Sequence, residues 1–565
     1  MFGAGGGTSS YREVEETDAI LLWGSNARET HPIFFHHVLK ALHKGASLFV
    51  IDPRRTSSAE WGDLRLEVEV GTDVVLAGAI GREIIAAGLA NLDFIARATT
   101  GFDAYRRGVD EYTLEKAEAI TRVPAAIIRQ TAHAYARADR AMICWTLGIT
   151  EHHNGVDNVL SLINLSLLTG HVGRYGSGLN PLRGQNNVQG GGDMGALPDR
   201  LPGFQLVEDD SARAKFDRAW GVETPPRKGM HLSQMFDAME SRDLTSLYII
   251  GENPAQSEAD ATRTIHLLNK LEHLVVQDIF LTKTAELADV VLPASAAWCE
   301  SDGTVTNSER RVQRVRKALD PPGLARQDVA IVADLARRLG KDWGEPTAEA
   351  IWDELRSLSP MHAGMSYQRL EQLGGIQWPC PDENHPGESF LHARLWKDPI
   401  DGARAPFSVV AHDPPVDRLD HDFPIRLTTG RRLDSYNTGV QSNGFDTPMR
   451  RGEAIELATA DAERLGVLDG DVVRVTSRRG SIVAPARIEP TLRPGLAFMT
   501  LHFPDEVETN RLTIDAIDPK SGTAEFKATA IRVEKIVDSG RGRQSQENGD
   551  IQIQECFQTS LVTGA

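Results

Sequence analysis

The amino-acid sequence predicts an α/β protein in which two related, doubly wound regions are followed by a C-terminal region of shorter β-strands. Three observations support this. Buried-strand patterns alternate with amphipathic helix patterns, one strand-and-loop pattern occurs twice, and the strands shorten in the last third of the chain. At 565 residues the chain exceeds what one hydrophobic core usually serves, so we expect three or four domains or sub-domains.

Composition excludes several classes of protein. The net charge of -18 argues against binding to nucleic-acid backbones. No run approaches the roughly 18 apolar residues of a transmembrane helix, so no membrane span is expected. The 4 cysteines show no CxxC spacing, which disfavours a disulfide framework or a metal site built on them, and no metal ligand is assigned in this chain.

The first region opens with a βαβ pattern. "DAILLWG" and "ASLFVID" predict buried strands, and "PIFFHHVLKALHKG" between them predicts an amphipathic helix that starts at Pro32 and stops at Gly45. Further along, "RAMICWTLG" predicts a strand and "GVDNVLSLINLSLLTG" a helix ended by Gly170. The strand "LTSLYIIG" begins a second region of the same kind.

The second region repeats the first. "LLWGSN" and "YIIGEN" share an apolar strand followed by Gly-x-Asn, and "VIDPRRTSSAEWGD" aligns with "VQDIFLTKTAELAD" without a gap. The spacing from the glycine to the acid that ends the second strand is 28 positions in one copy and 27 in the other. This matched spacing indicates that one supersecondary unit occurs twice. The aligned pairs are Asp52 with Asp278, Thr56 with Thr282, Ala59 with Ala285, Glu60 with Glu286, and Asp63 with Asp289.

The polar residues of the repeat predict nucleotide binding. In a doubly wound sheet the ligand lies at the carboxyl ends of the strands, where an acid accepts hydrogen bonds from a ribose or a base. Asp52 and Asp278 occupy such ends, so we expect two nucleotide-binding regions; the alternative is that both acids only cap the following turns. Neither copy carries a GxGxxG or GxxxxGK[ST] loop, which disfavours NAD or ATP bound in the usual way.

The segment "PLRGQNNVQGGGDMGALPD", residues 181–199, is unusually rich in glycine and side-chain amides. Glycines let backbone N–H groups approach a bulky ligand, and the amides donate and accept hydrogen bonds. Arg183 is the one basic residue of the segment and is suited to bind a carboxylate through two hydrogen bonds. The alternative is a structural arginine that pairs with a surface acid.

Together with "GITEHHNGVDNVLSLINLSLLTGHVGRYGSG" before it and "VQDIFLTKTAELADVVLPAS" after it, this segment resembles the molybdopterin oxidoreductases. The resemblance is greatest to the catalytic (alpha) subunits of molybdenum- or tungsten-dependent formate dehydrogenases, and the RGQNNVQG run is specific to that branch. It runs from about residue 1 to about residue 535. It implies a bis(molybdopterin guanine dinucleotide) cofactor with molybdenum or tungsten, and oxidation of formate to carbon dioxide with Arg183 orienting the substrate.

The resemblance and the repeat together give a set of expected cofactor-binding residues. In the "VGTD" run, Thr72 and Asp73 are also expected to begin a helix. His152 and His153 are expected to serve helix packing rather than metal binding, because no carboxylate or third histidine lies at zinc spacing. The expected cofactor-binding residues are Gly24, Asn26, Asp52, Arg54, Gly71, Thr72, Asp73, Gly148, Thr150, Gly184, Gln185, Asn186, Gly251, Asn253, Gln277, Asp278, Thr282, Asp289, Gly430, Arg431, Tyr436, Asn510 and Lys527.

The last third of the chain predicts an all-β domain. "DVVRVTSRRGSIVAPARI" predicts a hairpin with Gly480 in its turn, and the region resembles the double-psi β-barrel that caps the cofactor in the family. The expected domains are a first α/β dinucleotide-binding domain (1–185), a second one with inserted helical segments (186–400), the barrel (401–537) and a disordered tail (538–565).

One departure from the family leaves alternatives open. In the family a four-cysteine iron–sulfur motif, the cysteine or selenocysteine that binds the metal, and a histidine precede the region matching Met1, and this chain has none of them. We therefore expect an N-terminal segment or a separate chain to supply them, electron-transfer subunits as further partners, a cytoplasmic location, and no activity of the chain alone. The alternatives are another enzyme of the family, such as a nitrate reductase, or a non-catalytic subunit that only holds the cofactor.

Overall fold

The computed structural model describes residues 5–297, 299–433 and 452–536. The expected tail (538–565) and Tyr436 lie outside these residues. The α-helices span Tyr11–Val14, Ala27–Thr30, Pro32–His43, Asp73–Ala86, Leu92–Ala98, Phe102–Val109, Leu114–Thr121, Ala125–Arg137, Leu147–Thr150, Gly155–Thr169, Val188–Asp193, Asp210–Trp220, Leu232–Glu240, Pro254–Ser257, Ala261–Leu268, Asp328–Arg338, Ala348–Leu358, Tyr367–Leu373 and Thr459–Leu465. Short 3₁₀ helices span Ala59–Trp61, Ala285–Leu287, Ala393–Trp396 and Thr509–Arg511.

The strands of the α/β part form two all-parallel sheets. The first sheet has the order Leu64–Leu66, Ser47–Ile51, Ala19–Trp23, Ala141–Trp145 and Gly178–Pro181. The second sheet has the order Val290–Pro293, His273–Asp278 and Ser246–Ile250. The predicted βαβ pattern of both regions is therefore confirmed.

Three smaller sheets complete this part of the fold. One is antiparallel and joins Gly303–Thr306, Arg311–Val315 and Ile376–Gln377. The two-stranded sheets pair Arg200–Leu201 with Gln205–Leu206, and Thr99–Thr100 with Ala405–Pro406. The segment near residue 405 thus packs on the first region before the chain enters the barrel.

The first sheet is covered by helices on both faces. Along its central strand, Leu21 and Trp23 belong to a core that includes the helix Asp73–Ala86. The alternate residues Ile20 and Leu22 pack instead against the helix Pro32–His43. This alternation between two cores is the layered packing of a doubly wound fold.

The C-terminal part forms the predicted barrel. Six strands close on one another in the order Ile425–Gly430, Leu496–Thr500, Ile455–Leu457, Ser481–Ile488, Val472–Thr476 and Thr529–Lys535. The predicted hairpin is present, and its turn closes where the Ser477 amide donates to the Gly480 carbonyl at 2.9 Å. Within the described residues, no helix is long and apolar enough to cross a membrane.

The sequence repeat is also a structural repeat. After the first strand of each copy the glycine is left-handed, with φ of 55° at Gly24 and 65° at Gly251, and its amide donates at 2.8 Å to the second strand. Asn26 and Asn253 then accept hydrogen bonds through Oδ1 from the residue before the 3₁₀ helix of their own copy, at 2.9 and 2.8 Å from its hydroxyl oxygen. Both copies therefore share one hydrogen-bonding scheme.

The last aligned acid of each copy anchors the start of the second strand. Oδ2 of Asp63 accepts from the Leu48 amide at 2.8 Å, and Oδ2 of Asp289 accepts from the Leu274 amide at 2.7 Å. Each acid also donates its own amide to the carbonyl of the same leucine. These acids hold the second and third strands of each copy together.

We predict that Asp289→Ala destabilises the second sheet locally. A hydrogen bond to a charged group contributes about 1.5–3 kcal/mol, and about half of the Asp289 side chain is exposed, so the loss should be near the lower value. The Leu274 amide should then exchange with deuterium about tenfold faster in native-state hydrogen exchange. Asp63→Ala should act equally at Leu48, and the Asn variants should cost less because they retain an acceptor. Unchanged exchange at both amides would contradict the anchoring role.

Candidate functional site

A cavity of about 1080 Å³ lies where the carboxyl ends of both parallel sheets meet the barrel. Its volume lies just above the roughly 300–1,000 Å³ that is usual for small-molecule sites, which suits a large ligand. Asp52 and Asp278 both face this one cavity. The expected cofactor-binding residues that line it are Gly24, Asn26, Asp52, Arg54, Gly71, Asp73, Gly148, Gly184, Gln185, Asn186, Gly251, Asn253, Asp278, Thr282, Gly430, Arg431, Asn510 and Lys527.

The first repeat contributes an acid, Asp52, and a cation, Arg54, to the cavity wall. Asp52 is buried, and its Oδ1 accepts from the Arg54 amide at 2.9 Å. Burial raises the pKa of Asp52, and the Arg54 charge opposes this rise. The Arg54 guanidinium lies 3.5 Å from the centre of the Phe498 ring of the barrel, which covers one face of the planar group. Arg54 is thereby fixed at the junction of the first repeat and the barrel.

The glycine- and amide-rich segment forms another wall. Gly184, Gln185 and Asn186 are exposed in the cavity, and a Cβ atom placed on Gly191 would meet nothing within 4 Å. Asn187 is left-handed with φ of 69°, and its Oδ1 accepts from the backbone of the neighbouring antiparallel sheet at 2.9 Å. The loop is anchored at Asn187, which leaves the amides before it available to a ligand.

Arg183 lies directly before this wall and does not itself line the cavity. Its Nη2 donates to the Gly5 carbonyl at 3.2 Å, and its Nε is buried without a hydrogen-bond partner among the described residues. Burial lowers the pKa of Arg183, and Asp193 opposes the change. Its own carbonyl oxygen lies 2.8 Å from Nε2 of His31, so that nitrogen carries a proton, and burial lowers the pKa of His31. Sequence reasoning did not identify His31.

Four other expected residues do not line the cavity. Thr72 precedes the helix Asp73–Ala86 as predicted, but its hydroxyl donates to the Glu69 carbonyl at 2.7 Å. Gln277 is buried, and its Nε2 donates to Asp328 at 2.5 Å. Thr150 ends the helix Leu147–Thr150, and Asp289 anchors Leu274.

A buried carboxylate of the barrel joins two consecutive histidines that were expected only to pack. Oε1 of Glu525 lies 3.2 Å from Nδ1 of His152, and Oε2 lies 3.3 Å from Nδ1 of His153. Burial opposes the charged forms, but the Glu525 charge raises the pKa of His152 and the histidines hold the pKa of Glu525 well below its usual range. His153 also contacts Asp413 at 3.1 Å. In the described part of the chain, no group of three or more potential ligand side chains is arranged to hold a metal ion.

Lys527 joins the barrel to the loop that carries these histidines. Its Nζ lies 2.9 Å from the Glu151 carboxylate and donates to the Thr429 carbonyl at 3.1 Å. Both Lys527 and Glu151 line the cavity. The pair therefore places one charge of each sign at this wall.

Comparison with known proteins is consistent with this architecture. A family model for molybdopterin oxidoreductases matches residues 4–338, and a model for molydopterin dinucleotide-binding domains matches residues 425–530. Acetylene hydratase from Pelobacter acetylenicus has a similar structure, with a TM-score of 0.71 at 18% identity, over 95% of this chain and 80% of that one. At this identity the likeness concerns the fold alone.

Several curated proteins are similar over most of the chain. The F420-dependent formate dehydrogenase subunit alpha of Methanocaldococcus jannaschii is 42% identical over 541 residues, covering 95% of this chain and 79% of that protein. Formate dehydrogenase H of Escherichia coli is 37% identical over 552 residues, covering 96% and 76%. The assimilatory nitrate reductase catalytic subunit of Bacillus subtilis is 34% identical over 546 residues, covering 94% and 76%. The chain therefore belongs to the molybdopterin oxidoreductase family.

Proposed function

We propose that this chain is the catalytic subunit of a formate dehydrogenase, which oxidises formate to carbon dioxide at molybdenum or tungsten held by two molybdopterin guanine dinucleotides. The observation that carries the proposal is the single cavity onto which both copies of the repeat open, because two dinucleotides on one metal need two related sites in one space. The formate dehydrogenase subunits at 42% and 37% identity support the choice of substrate.

The residues present fit this cofactor. Gly191 and Gly251 line the cavity, and a Cβ atom on either would meet nothing within 4 Å, so a flat ring system can approach the backbone there. Arg54, Arg431 and Lys527 are the lining Arg and Lys side chains within the described ranges and suit phosphate groups. When bound, the metal centre accepts the two electrons that formate loses.

Arg183 would bind and orient the substrate. Oxidation of formate yields carbon dioxide, a proton and two electrons, so the substrate enters as an anion and leaves as a neutral molecule. A planar guanidinium pairs with a carboxylate through two parallel hydrogen bonds and releases an uncharged product readily. The Nε of Arg183 is buried and has no hydrogen-bond partner in the described structure, so it is the donor left for the substrate, because Nη2 already donates to the Gly5 carbonyl. The hydrogen bond from His31 to the Arg183 carbonyl fixes the backbone at this point.

The proposal includes further components. An iron–sulfur cluster, carried by an N-terminal segment or by a separate chain, would take the electrons from the metal, and electron-transfer subunits would carry them onward. The cytoplasmic location expected from the sequence stays a prediction.

A second candidate is reduction of another small planar anion. The similarity to a nitrate reductase catalytic subunit favours nitrate, which a buried arginine would bind as well. Parallel assays of the reconstituted enzyme, with formate and an oxidised dye or with nitrate and a reduced dye, separate the two. We expect turnover with formate, and turnover with nitrate alone would reverse the assignment.

We predict that Arg183→Lys in the complete enzyme raises the formate KM and lowers kcat/KM at least about tenfold, which corresponds to roughly 1.4 kcal/mol. The cause is the loss of the planar fork, which lysine does not restore. Metal and nucleotide content should stay near normal, because backbone and amide groups hold the cofactor. Arg242→Lys, at an exposed arginine that pairs with Glu272, is the matched control and should change neither value. Loss of metal with an unchanged kcat/KM would make Arg183 a cofactor anchor instead.

We also predict the cofactor stoichiometry. Acid hydrolysis of the purified complete enzyme should release two GMP per molybdenum or tungsten, measured by chromatography and by mass spectrometry of the metal. This follows from two equivalent strand ends on one cavity. One GMP per metal, or none, would disprove the two-dinucleotide proposal.

A further inference from the structure

A buried carboxylate of the barrel, Glu525, receives hydrogen bonds from the loop at residues 151–154. Its Oε1 accepts from the Lys527 amide at 3.1 Å and lies 3.2 Å from Nδ1 of His152. Its Oε2 accepts from the amide of His153 at 3.1 Å and lies 3.3 Å from Nδ1 of the same residue. Both oxygens of Glu525 are therefore satisfied only while the loop and the barrel are in contact.

The geometry requires both histidine rings to be doubly protonated. Nε2 of His152 lies 3.1 Å from the Gly148 carbonyl oxygen, and Nε2 of His153 lies 3.1 Å from Oδ2 of Asp413. Each ring thus faces an acceptor oxygen at both of its nitrogens. A neutral imidazole carries one N–H and one lone pair, so a neutral ring would direct its lone pair at one of these oxygens. Only the imidazolium form satisfies both contacts.

The groups that surround His152 favour its charge on balance. Burial alone would lower the pKa of His152, but the charges of Glu525 and Asp73 raise it above its ordinary value. Lys527 opposes this rise, and it is itself paired with Glu151 at 2.9 Å. His152 is therefore a buried cation held by two acids.

The groups that surround His153 act in the same direction. Its hydrogen bond to Glu525 raises the pKa of His153 against the effect of burial, and Asp413 raises it further. His412 is the other titratable neighbour, and burial lowers the pKa of His412, so it adds little positive charge near neutral pH. The charge of His153 thus depends on the same carboxylate as the charge of His152.

We propose that His152, His153 and Glu525 form a pH-sensitive latch, which holds the barrel on the first region while both histidines are charged and releases it when they lose their protons to water. A lost proton leaves a ring lone pair against a buried oxygen, so the closed state loses a hydrogen bond and the charge that neutralises Glu525. The inference goes beyond the proposed function, because it concerns the docking of the barrel and requires no bound cofactor.

Opening of the latch would also open the cavity along this junction. Glu151 and His152 line the cavity from the loop, and Phe526 and Lys527 line it from the barrel. The Phe526 amide donates to the Glu151 carbonyl at 3.2 Å, so the backbone of the loop meets the backbone of the barrel at the same place. Release of Glu525 would separate these two sides of the wall.

The direction of the pH dependence follows from the raised pKa of both histidines. Closure is fully favoured below the ordinary histidine pKa of about 6.5 and weakens as the pH rises through the raised values. Within this window each histidine that loses its proton on opening increases the opening equilibrium about tenfold per pH unit. The histidines hold the pKa of Glu525 below its usual range despite burial, so closure weakens on the acid side only below about pH 4.3.

Hydrogen exchange of the full chain, followed by mass spectrometry from about pH 5.5 to about pH 9 and corrected for the intrinsic exchange rate, tests the latch. The amides of His153 and Phe526 donate across the junction. Peptides that contain them should lose protection above about pH 6.5, by about a hundredfold per pH unit where both histidines titrate. Peptides from Ala19–Trp23 and Leu496–Thr500, in the first sheet and in the barrel, should keep their protection.

Substitutions assign this effect to the cluster. An Asn amide can replace the Nδ1 donor of a histidine but does not titrate, so His153→Asn should reduce the loss of protection to about tenfold per pH unit. Glu525→Gln should weaken closure at every pH and remove most of the pH dependence. His37→Asn is the matched control, because His37 pairs with Glu15 at 2.7 Å elsewhere in the first region, and it should leave the junction peptides unchanged.

Three outcomes would overturn the latch. One is protection of the junction peptides that does not change with pH in the unsubstituted chain, and another is the same pH dependence in His153→Asn. The third is a parallel loss of protection in Ala19–Trp23 and Leu496–Thr500, because the histidines would then act on global stability instead of local opening. Thermal unfolding of each variant reports whether it folds, and if Glu525→Gln does not fold, His153→Asn alone decides.

Discussion

The close approach of two glycines positions the cavity. A Cβ atom on Gly148 would lie 2.6 Å from the Gly24 carbonyl oxygen, and one on Gly24 would lie 2.8 Å from the Gly148 carbonyl carbon. Real side chains do not tolerate such distances, so the first strand end and the loop after Trp145 meet only because both residues are glycine. The Gly148 amide and the Thr146 hydroxyl both donate to the Gly24 carbonyl, at 3.2 and 2.7 Å. The loop that carries Glu151, His152 and His153 is placed by this contact.

Buried charged side chains connect this loop to the barrel. Glu525 pairs with both histidines, and Lys527, two residues later, pairs with Glu151. A buried carboxylate is costly unless it is neutralised and hydrogen-bonded, and Glu525 meets both conditions only while the barrel is docked. We infer that these pairs set the orientation of the barrel over the cavity rather than adding much to its stability. A further ion pair, Arg493 with Glu69 at 3.2 Å, holds the same two units together.

Much of the fold could be predicted from the sequence, because the patterns that indicate it join residues close together in the chain. Strand and helix patterns are local, and the repeat of Gly24, Asn26 and Asp52 encodes a turn whose hydrogen bonds lie within one copy, so its geometry was predictable. Contacts between segments that are distant in the chain were not predictable. Glu525 and His153 are separated by 372 positions, and no local pattern indicates that they meet. Asp289 shows a different limit. Its alignment with Asp63 correctly indicated a shared role, but only the structure reveals that this role is to anchor a strand.

The position of Arg183 illustrates the same limit at the site. The sequence predicted a lone cation within a glycine- and amide-rich segment. The structure places Arg183 outside the cavity lining, with its guanidinium on the Gly5 carbonyl and its own carbonyl bound by His31.

The duplication explains why the two halves of the cavity can differ while their backbones agree. The residues that stay the same in both copies, such as Asn26 and Asn253, bind backbone groups and therefore fix the frame. The side chains that differ, such as those of Arg54 and Phe280, extend from that frame into the cavity, while the backbone amides of the same residues hold the turn. A substitution at such a position changes what the wall binds without moving the wall. Two copies of one turn can in this way present chemically different groups to one cavity, since the shared asparagines and backbone hydrogen bonds fix the frame and the lining is free to diverge.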